Sequence, residues 1–410
     1  MGSVKQGGIK MGKRKIFSDI LLNITATMIP TVTLQLLIFP MLSNYMSSEA
    51  YGLVVTMLAV FNVIPARMGT ALNNVRLIHE EKYKKMDKGG DFQILLIMAE
   101  VINTVTIYFV SIYYLGKFDF FSVFLTVIVS ILWLAREYHI VTFRIELNYT
   151  GIVVNNLYMV TGYFLGYIFF KETGYWQWIY LWGMVLSYYP VFRNSKIIYE
   201  RFDITTLFPA VAKDTMFLII AMTLARAINY ADKILLYPLL GGTMVSIYYV
   251  ATLFGKIISL VITPLNSVAL SYLSKINNKP DSIFKWTYIV GSILCILGYL
   301  LSITLSRPVL SILYPTYVDE AMKYIYITSG TSVISVLTSL INSFVLCFFD
   351  SKWQICINAV TTIIYVVLTL SLLKLGGLAG FSIGALLANI SKLIITTLVY
   401  IRVSTRAYVV

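Results

Sequence analysis

The stretch Trp353–Leu373, WQICINAVTTIIYVVLTLSLL, contains no charged residue. A helix needs about 20 mainly apolar residues to cross the hydrocarbon of a bilayer, and this run meets that requirement by itself. Ile20–Ser48, Leu147–Phe170, Thr173–Phe192, Trp286–Ser306 and Tyr324–Phe349 are likewise free of charge. The whole chain agrees with them. Of its 410 residues, 58% are hydrophobic and 12% are charged, and the mean hydropathy is +0.80. A soluble domain carries about 25% charge, so that class is excluded. Disorder is excluded too, because it needs low hydrophobicity and high charge.

Reading between charged clusters gives about twelve spanning helices. Six lie near Asp19–Met41, Tyr51–Ala71, Phe92–Leu115, Phe120–Val141, Gly151–Phe170 and Trp176–Phe192. Six more lie near Thr215–Leu239, Val245–Leu270, Trp286–Leu305, Ala321–Phe348, Trp353–Leu373 and Ala379–Ile401. The pattern predicts an all-α integral membrane protein with two six-helix lobes around a central cavity. The expected segments are a basic N-terminus at 1–18, an N-lobe at 19–192, a connection at 193–214, a C-lobe at 215–401 and a C-terminus at 402–410. The first apolar run is longer than a signal-peptide core and lacks a small-residue cleavage pattern, so it is read as uncleaved.

The net charge is +13, from 32 Lys+Arg against 19 Asp+Glu. An even number of spans puts both termini on one side of the membrane. That side collects most of the basic residues: Lys5 to Lys15, Arg76 to Lys88, Arg136, Arg144, Arg193 to Lys213, Lys275 to Lys285, Lys352, Arg402 and Arg406. The other side holds only Lys117, Lys171, Arg307, Lys323 and Lys374. The positive-inside rule then assigns both termini of the multi-pass chain to the cytoplasm. Most of the excess charge therefore concerns orientation and does not point to nucleic acid.

Arg67, Arg226, Lys233, Lys256 and Lys392 remain inside the spans, with the acids Glu100 and Asp232. At ~1.5 Å per residue, Arg226 lies about 18 Å from the cytoplasmic end of its span and Lys256 about 16 Å from the exterior end of the next. A cation at the bilayer centre costs about 2.5–3.5 kcal/mol on insertion scales, and such residues face a bundle interior or a wet cavity. Asp232 can neutralise Lys233 or Arg226, but not both. Lys233 and Lys392 are long side chains able to snorkel. Glu100 begins a polar stripe with Asn103 and Thr104 at helical spacing. The cluster Tyr175, Trp176, Trp178, Tyr180 and Trp182 reads as an interfacial aromatic belt. Cys295, Cys347 and Cys356 sit in apolar runs at no metal-ligand spacing, and His79 and His139 are isolated, so no metal site is expected. No nucleotide motif occurs, and no cofactor is expected.

The two halves of the chain resemble each other where they begin. Pro40, Tyr51 and Pro65 correspond to Pro238, Tyr248 and Pro264. Parallel repeats of six spans imply a pseudo-twofold axis along the membrane normal and an alternating-access design. The same segments carry a family signature. Pro40-Met-Leu-Ser-Asn-Tyr-Met-Ser-Ser-Glu-Ala-Tyr-Gly52 resembles the first exterior turn of the Wzx-type polysaccharide flippases. Arg226 through Asp232-Lys233 to Ser246-Ile-Tyr-Tyr249 resembles their seventh-to-eighth span turn, with Ser246 where the family usually shows glycine. These flippases belong to the superfamily of multidrug, oligosaccharidyl-lipid and polysaccharide exporters.

The resemblance implies a flippase that carries an undecaprenyl-pyrophosphate-linked oligosaccharide, the repeat unit of a capsule, O-antigen or exopolysaccharide, across the membrane. No covalent bond changes, so the protein is not an enzyme. Its partners would be the lipid-linked glycan, membrane lipids, H⁺ or Na⁺ as coupling ion, and a polysaccharide polymerase with glycosyltransferases. The net positive charge of the spans agrees with an anionic substrate, for which Arg supplies bidentate donors and Lys a point charge. Arg67, Arg226, Lys256, Lys233 and Lys392 are the candidate substrate-binding cations, and Glu100 and Asp232 the candidate ion-coupling acids. Two other readings stand beside this one. An ion-coupled multidrug exporter of the same fold would favour cavity carboxylates, the opposite sign. A membrane polymerase or ligase would normally need an exterior loop or domain for its catalytic groups, and the longest exterior connection, around Arg307–Glu320, is short and holds the adjacent Asp319 and Glu320.

Overall fold

In hydrocarbon a peptide group finds no water to bond, so a spanning chain must close its hydrogen bonds within itself. The computed structural model meets this with helices throughout, and no strand occurs among the described residues. Those are Leu22, Thr25, Ala26, 28–86, 90–115, 119–258, Leu273, Ile276, 279–349 and 351–402. The expected N-terminus at 1–18, most of the expected C-terminus, the start of the first span, Lys117, Lys275 and 259–270 with Pro264 lie outside the described residues.

The helices follow the apolar runs. They are α1 (Met28–Ser43), α2 (Ser48–Val63), α3 (Pro65–Met86), α4 (Asp91–Leu115), α5 (Phe120–His139), α6 (Tyr149–Thr173) and α7 (Gln177–Asn194). After them come α8 (Phe208–Leu240), α9 (Gly242–Ala251), α10 (Asp281–Leu313), α11 (Val318–Phe348) and α12 (Ser351–Arg402). Among the described residues, eight helical stretches are long and apolar enough to cross a membrane. Two of the expected spans share α12, which is broken at Gly376 and Gly377, the latter at φ 55°. The chain divides into two compact units. One holds the residues up to Phe39 together with Met57–Ala231, and the other holds Pro40–Thr56 together with Asp232 onward. The division falls inside α8 rather than in the 193–214 connection.

In the first unit, Pro65 interrupts the helix that the second span begins. Pro suits the first position of a helix because its missing N–H has no partner there in any case. Met68, Leu72 and Val75 of α3 pack with Leu95 and Leu96 of α4, Leu134 and Tyr138 of α5, and Val211 of α8. α6 and α7 lie very close: a Cβ on Gly162 or Gly166 would stand 2.3 Å from the Trp182 or Trp178 carbonyl. Small residues four apart allow such backbone approach in membrane helices. Polar side chains bond across helices, as Gln177 Nε2 does to Ser122 Oγ at 2.6 Å. The aromatic cluster of the sixth span differs from a simple belt. Trp176 and Tyr180 are buried and pack on Phe61 and Trp133.

Several residues assigned to cytoplasmic loops are in fact helical and buried, because α3 runs on to Met86. Arg76 is 4% exposed and sets its guanidinium against Glu80 at 2.8 Å and Glu200 at 2.7 Å. Burial pushes the Glu200 carboxyl up, against the pull of Arg76. The Asp91 carboxylate accepts from the Tyr83 hydroxyl at 2.6 Å, the Thr205 amide at 2.8 Å and the Thr205 hydroxyl. Gln93 Nε2 donates to the Ile197 carbonyl at 2.6 Å. The connection between the halves is therefore bonded to the first unit along its length.

In the second unit, the two motif segments meet. The Glu49 carboxylate accepts from the amides of Gly242 and Thr243, at 2.8 and 2.9 Å, and from the Thr243 hydroxyl at 3.2 Å. It caps the N-terminus of α9, where orphan N–H groups and the helix dipole favour an anion. Ser246 uses its hydroxyl on the Ser48 carbonyl at 2.6 Å, which gives its side chain a bond between the two segments. Tyr51 is fully buried among Tyr249, Tyr314 and Tyr317, with ring centroids about 6 Å away. Farther along the unit, Phe284 of α10, Phe344 of α11 and Tyr400 of α12 form a core, with Phe284 and Tyr400 stacked at 3.7 Å.

Gly52 and Gly242 touch backbone to backbone, and a Cβ on Gly52 would stand 1.9 Å from the Gly242 carbonyl oxygen. Gly52→Val should therefore lower the thermal unfolding temperature of the solubilised protein more than Glu49→Ala does. Glu49→Ala removes charge-assisted hydrogen bonds, at about 1.5–3 kcal/mol. An unchanged unfolding temperature for Gly52→Val would contradict this packing.

Candidate functional site

Two of the expected cations come together in the first unit. Arg67 stands in the first turn of α3, where the break at Pro65 lets its Nε reach the Asn62 carbonyl at 3.3 Å. Arg226, on α8, lies within electrostatic reach of Arg67, as do Glu137 and Tyr230. The Arg226 guanidinium carbon sits 4.9 Å from the Tyr230 ring centroid, and Nη2 is 3.4 Å from the Tyr230 hydroxyl. Its Nε is buried without a hydrogen-bond partner. Glu137 already holds Arg136 at 3.0 Å. Among the described residues, neither Arg67 nor Arg226 forms an ion pair with a carboxylate. Two guanidiniums within electrostatic reach of one another inside a helix bundle repel, and a nearby anion offsets that repulsion.

The second unit gathers another group. Asp232 pairs with Lys233 at 2.5 Å, the lysine side chain being 9% exposed. The other oxygen of Asp232 is buried without a partner. Lys256 is within electrostatic reach of both and rests its ammonium 3.2 Å from the Tyr249 ring centroid. An aromatic face attracts a desolvated cation without neutralising it. One acid thus serves two lysines, and Asp232 is committed to Lys233 rather than to Arg226. Among the described residues, no interaction joins Lys392 to this group.

Glu100, on α4, is apart from both pairs. Its carboxylate is buried, with the Asn103 side chain and the Ala135 backbone as its polar neighbours and no cation paired to it among the described residues. Asn103 itself bonds to Ser130 Oγ at 3.1 Å, so part of the stripe serves helix packing. Asp319 and Glu320 are exposed and pair separately with Arg307 at 3.3 Å and Lys323 at 2.5 Å, which is not a converging catalytic pair.

Sequence reasoning missed the most elaborate buried charge. Arg136 was expected in a cytoplasmic loop, yet it is 4% exposed. It donates to Ser187 Oγ at 3.1 Å, Asn155 Oδ1 at 2.7 Å, and Asn156 Oδ1. Asn156 also bonds the Ala26 carbonyl at 2.8 Å. The adjacent asparagines on an otherwise apolar span were the available signal. A cavity of about 910 Å³ at the end of α3 is lined by Arg76, Glu80, Arg144, Lys196, Glu200 and Arg201 among others. Of that lining, Arg76 pairs with Glu80 and Glu200.

No protein-family profile matches the chain, and no curated protein matches it in sequence. Solved structures do match. The lipid II flippase MurJ in an inward closed conformation superposes with a TM-score of 0.71 at 13% identity, covering 93% of this chain and 85% of that one. The Vibrio cholerae MATE transporter VcmN in its bent form gives 0.59 at 13% identity, covering 94% and 95%. An outward-facing multidrug resistance MATE transporter of the MOP superfamily gives 0.58 at 13%, covering 93% and 94%. The fold is therefore that of these all-α membrane transporters, and the chain is a multi-pass membrane protein.

Replacing Arg136 by Met leaves the Asn155 and Asn156 oxygens unpaired, at about 1–3 kcal/mol each. A lower unfolding temperature is expected for the solubilised variant. Arg136→Lys should lie between it and the parent, since an ammonium supplies the charge but not the planar fork.

Proposed function

We propose that this protein is a flippase that moves an undecaprenyl-pyrophosphate-linked oligosaccharide across a bacterial inner membrane, with both termini in the cytoplasm. The observation that carries the reading is the Arg67–Arg226 pair. Two guanidiniums of the helix bundle lie within electrostatic reach of one another, neither is ion-paired to a carboxylate among the described residues, and one Arg226 donor is left unsatisfied. A pyrophosphate offers several anionic oxygens to such donors, and bidentate Arg contacts suit it. The Lys233–Lys256 group adds a second net positive place in the other unit. The Wzx-like segments around Glu49 and Gly242, and a fold shared with a lipid II flippase, point the same way. Transport of this kind makes and breaks no covalent bond. It places the protein beside glycosyltransferases that build the lipid-linked unit and a polymerase that consumes it.

A second reading, ion-coupled export of small molecules, draws on Glu100. A buried carboxylate without a paired cation is costly as an anion, and a proton or Na⁺ relieves that cost. The two readings combine if Glu100 couples an ion gradient to flipping. A cationic drug as cargo is disfavoured by the arginine pair.

Leaflet accessibility of a lipid-linked oligosaccharide in reconstituted vesicles measures the activity directly. Arg67→Ala, Arg226→Ala and Lys256→Ala should each reduce surface polymer at least tenfold at equal protein level. Lysine at Arg67 or Arg226 should restore part of the loss. Normal polymer from all three alanine variants would sink the assignment. Glu100→Gln should abolish dependence on H⁺ or Na⁺, whereas an unchanged dependence removes Glu100 from the coupling.

A further inference from the structure

α3 and α8 lie side by side in the first unit, and Arg67 and Arg226 mark one end of their contact. Toward the other end a crevice of about 330 Å³ opens between them, lined by Val75, Ile78, His79, Asp214, Phe217 and Leu218, with Ala221 at its inner end. Its walls are apolar except for one dyad, His79 Nε2 at 3.0 Å from Asp214 Oδ2. His79 is 6% exposed, and its Nδ1 is buried without a hydrogen-bond partner. Ile78 and Phe217, 70% and 57% exposed, form the open rim.

Helical spacing extends the pattern. Lys82 follows Ile78 by four residues, and Lys213 precedes Phe217 by four, so each lysine stands one turn beyond a rim residue on the same helix face. Both are exposed. The order along the two helices is thus an apolar trough, then the His79–Asp214 dyad, then two ammonium groups. That is the order of groups in a lipid phosphate standing in a leaflet: chain toward the bilayer centre, phosphate at the interface. The charge pattern assigns this end of α3 to the cytoplasmic side, so the leaflet is the inner one.

We propose that the α3–α8 crevice docks a membrane lipid bearing phosphate on a single hydrocarbon chain, before its headgroup reaches Arg67 and Arg226. The chain lies against Val75, Leu218 and Ala221. Lys82 and Lys213 meet the phosphate, just beyond the polar end of the trough that the His79–Asp214 pair forms. This deepens the flippase reading and rests on it for the identity of the lipid, while the crevice is testable without transport.

The probe is a polyprenyl monophosphate added to the full-length protein in detergent, with bound lipid counted by native mass spectrometry. Ala221→Trp fills the trough from an exposed position. The double variant Lys82→Gln/Lys213→Gln removes the cationic rim without touching the core. Each should weaken binding at least tenfold with an unchanged unfolding temperature. Polyprenol should bind the parent at least tenfold more weakly than its phosphate, and inorganic pyrophosphate should not displace the probe at matching concentration. Parent-like binding by both variants would overturn the proposal. So would equal binding of polyprenol, or displacement by pyrophosphate alone. Arg67→Ala should keep probe binding while losing export. If the parent binds the probe as described but moves no lipid-linked sugar, the flippase reading falls and the lipid crevice stands.

Discussion

The hydrocarbon of a bilayer accepts no unpaired hydrogen-bonding group, and the rest of this structure depends on that constraint. It forces the backbone into helices, and it turns the usual order of burial around. On α10, Ile289, Ile293, Leu297, Leu300 and Leu301 are exposed while Ser302 and Ser306 are buried. Apolar side chains face outward because lipid is their solvent, and polar ones face other helices because only there do they find partners. Gln177 on Ser122 and the asparagines on Arg136 follow from this rule. So do the glycines of α6, which let helices approach where no hydrophobic force drives them together.

Against that background the arginine pair is informative by contrast. Arg76 and Arg136 show what this chain does with a guanidinium that it keeps for structure. It surrounds the group with carboxylates or amide oxygens until the donors are used. Arg67 and Arg226 are treated differently: they receive a carbonyl, a tyrosine face and each other. Lys256, on the face of Tyr249, is treated in the same way in the other unit. A cation that rests near an aromatic ring and forms no ion pair retains its attraction for an anion that is not part of the protein. The sign of the unspent charge, rather than its amount, is what separates an anionic lipid from a cationic drug as cargo.

Much of the fold was legible because an apolar run of spanning length has few alternatives. Trp353–Leu373 and its counterparts each lie on a helix, as far as they are described. The break in α12 was not marked by charge, only by Gly376 and Gly377 between two runs. The unit boundary was not legible either. Residues 193–214 read as a divider because they mix charge with apolar residues, yet Glu200 and Thr205 use that polarity to bond Arg76 and Asp91 of the first unit. At the candidate site the residue types were visible but their pairing was not. Arg67 and Arg226 are far apart in sequence, and no local pattern announces that they meet. Tyr230, one turn beyond Arg226, was the part a helical reading of α8 contained.

The capping of α9 by Glu49 has a consequence for how the chain is made. The carboxylate and the amide it receives are 193 residues apart. At synthesis rates of 5–20 residues per second, the partner emerges about 10–40 s after Glu49 does. During that interval the helices of the first unit can assemble, since Arg76, Asp91 and Arg136 find their partners among residues already made. Pro40–Thr56 cannot, because the groups that receive Glu49, Ser48 and Tyr51 do not yet exist. This turn, made well before its partners, is therefore placed only after they appear.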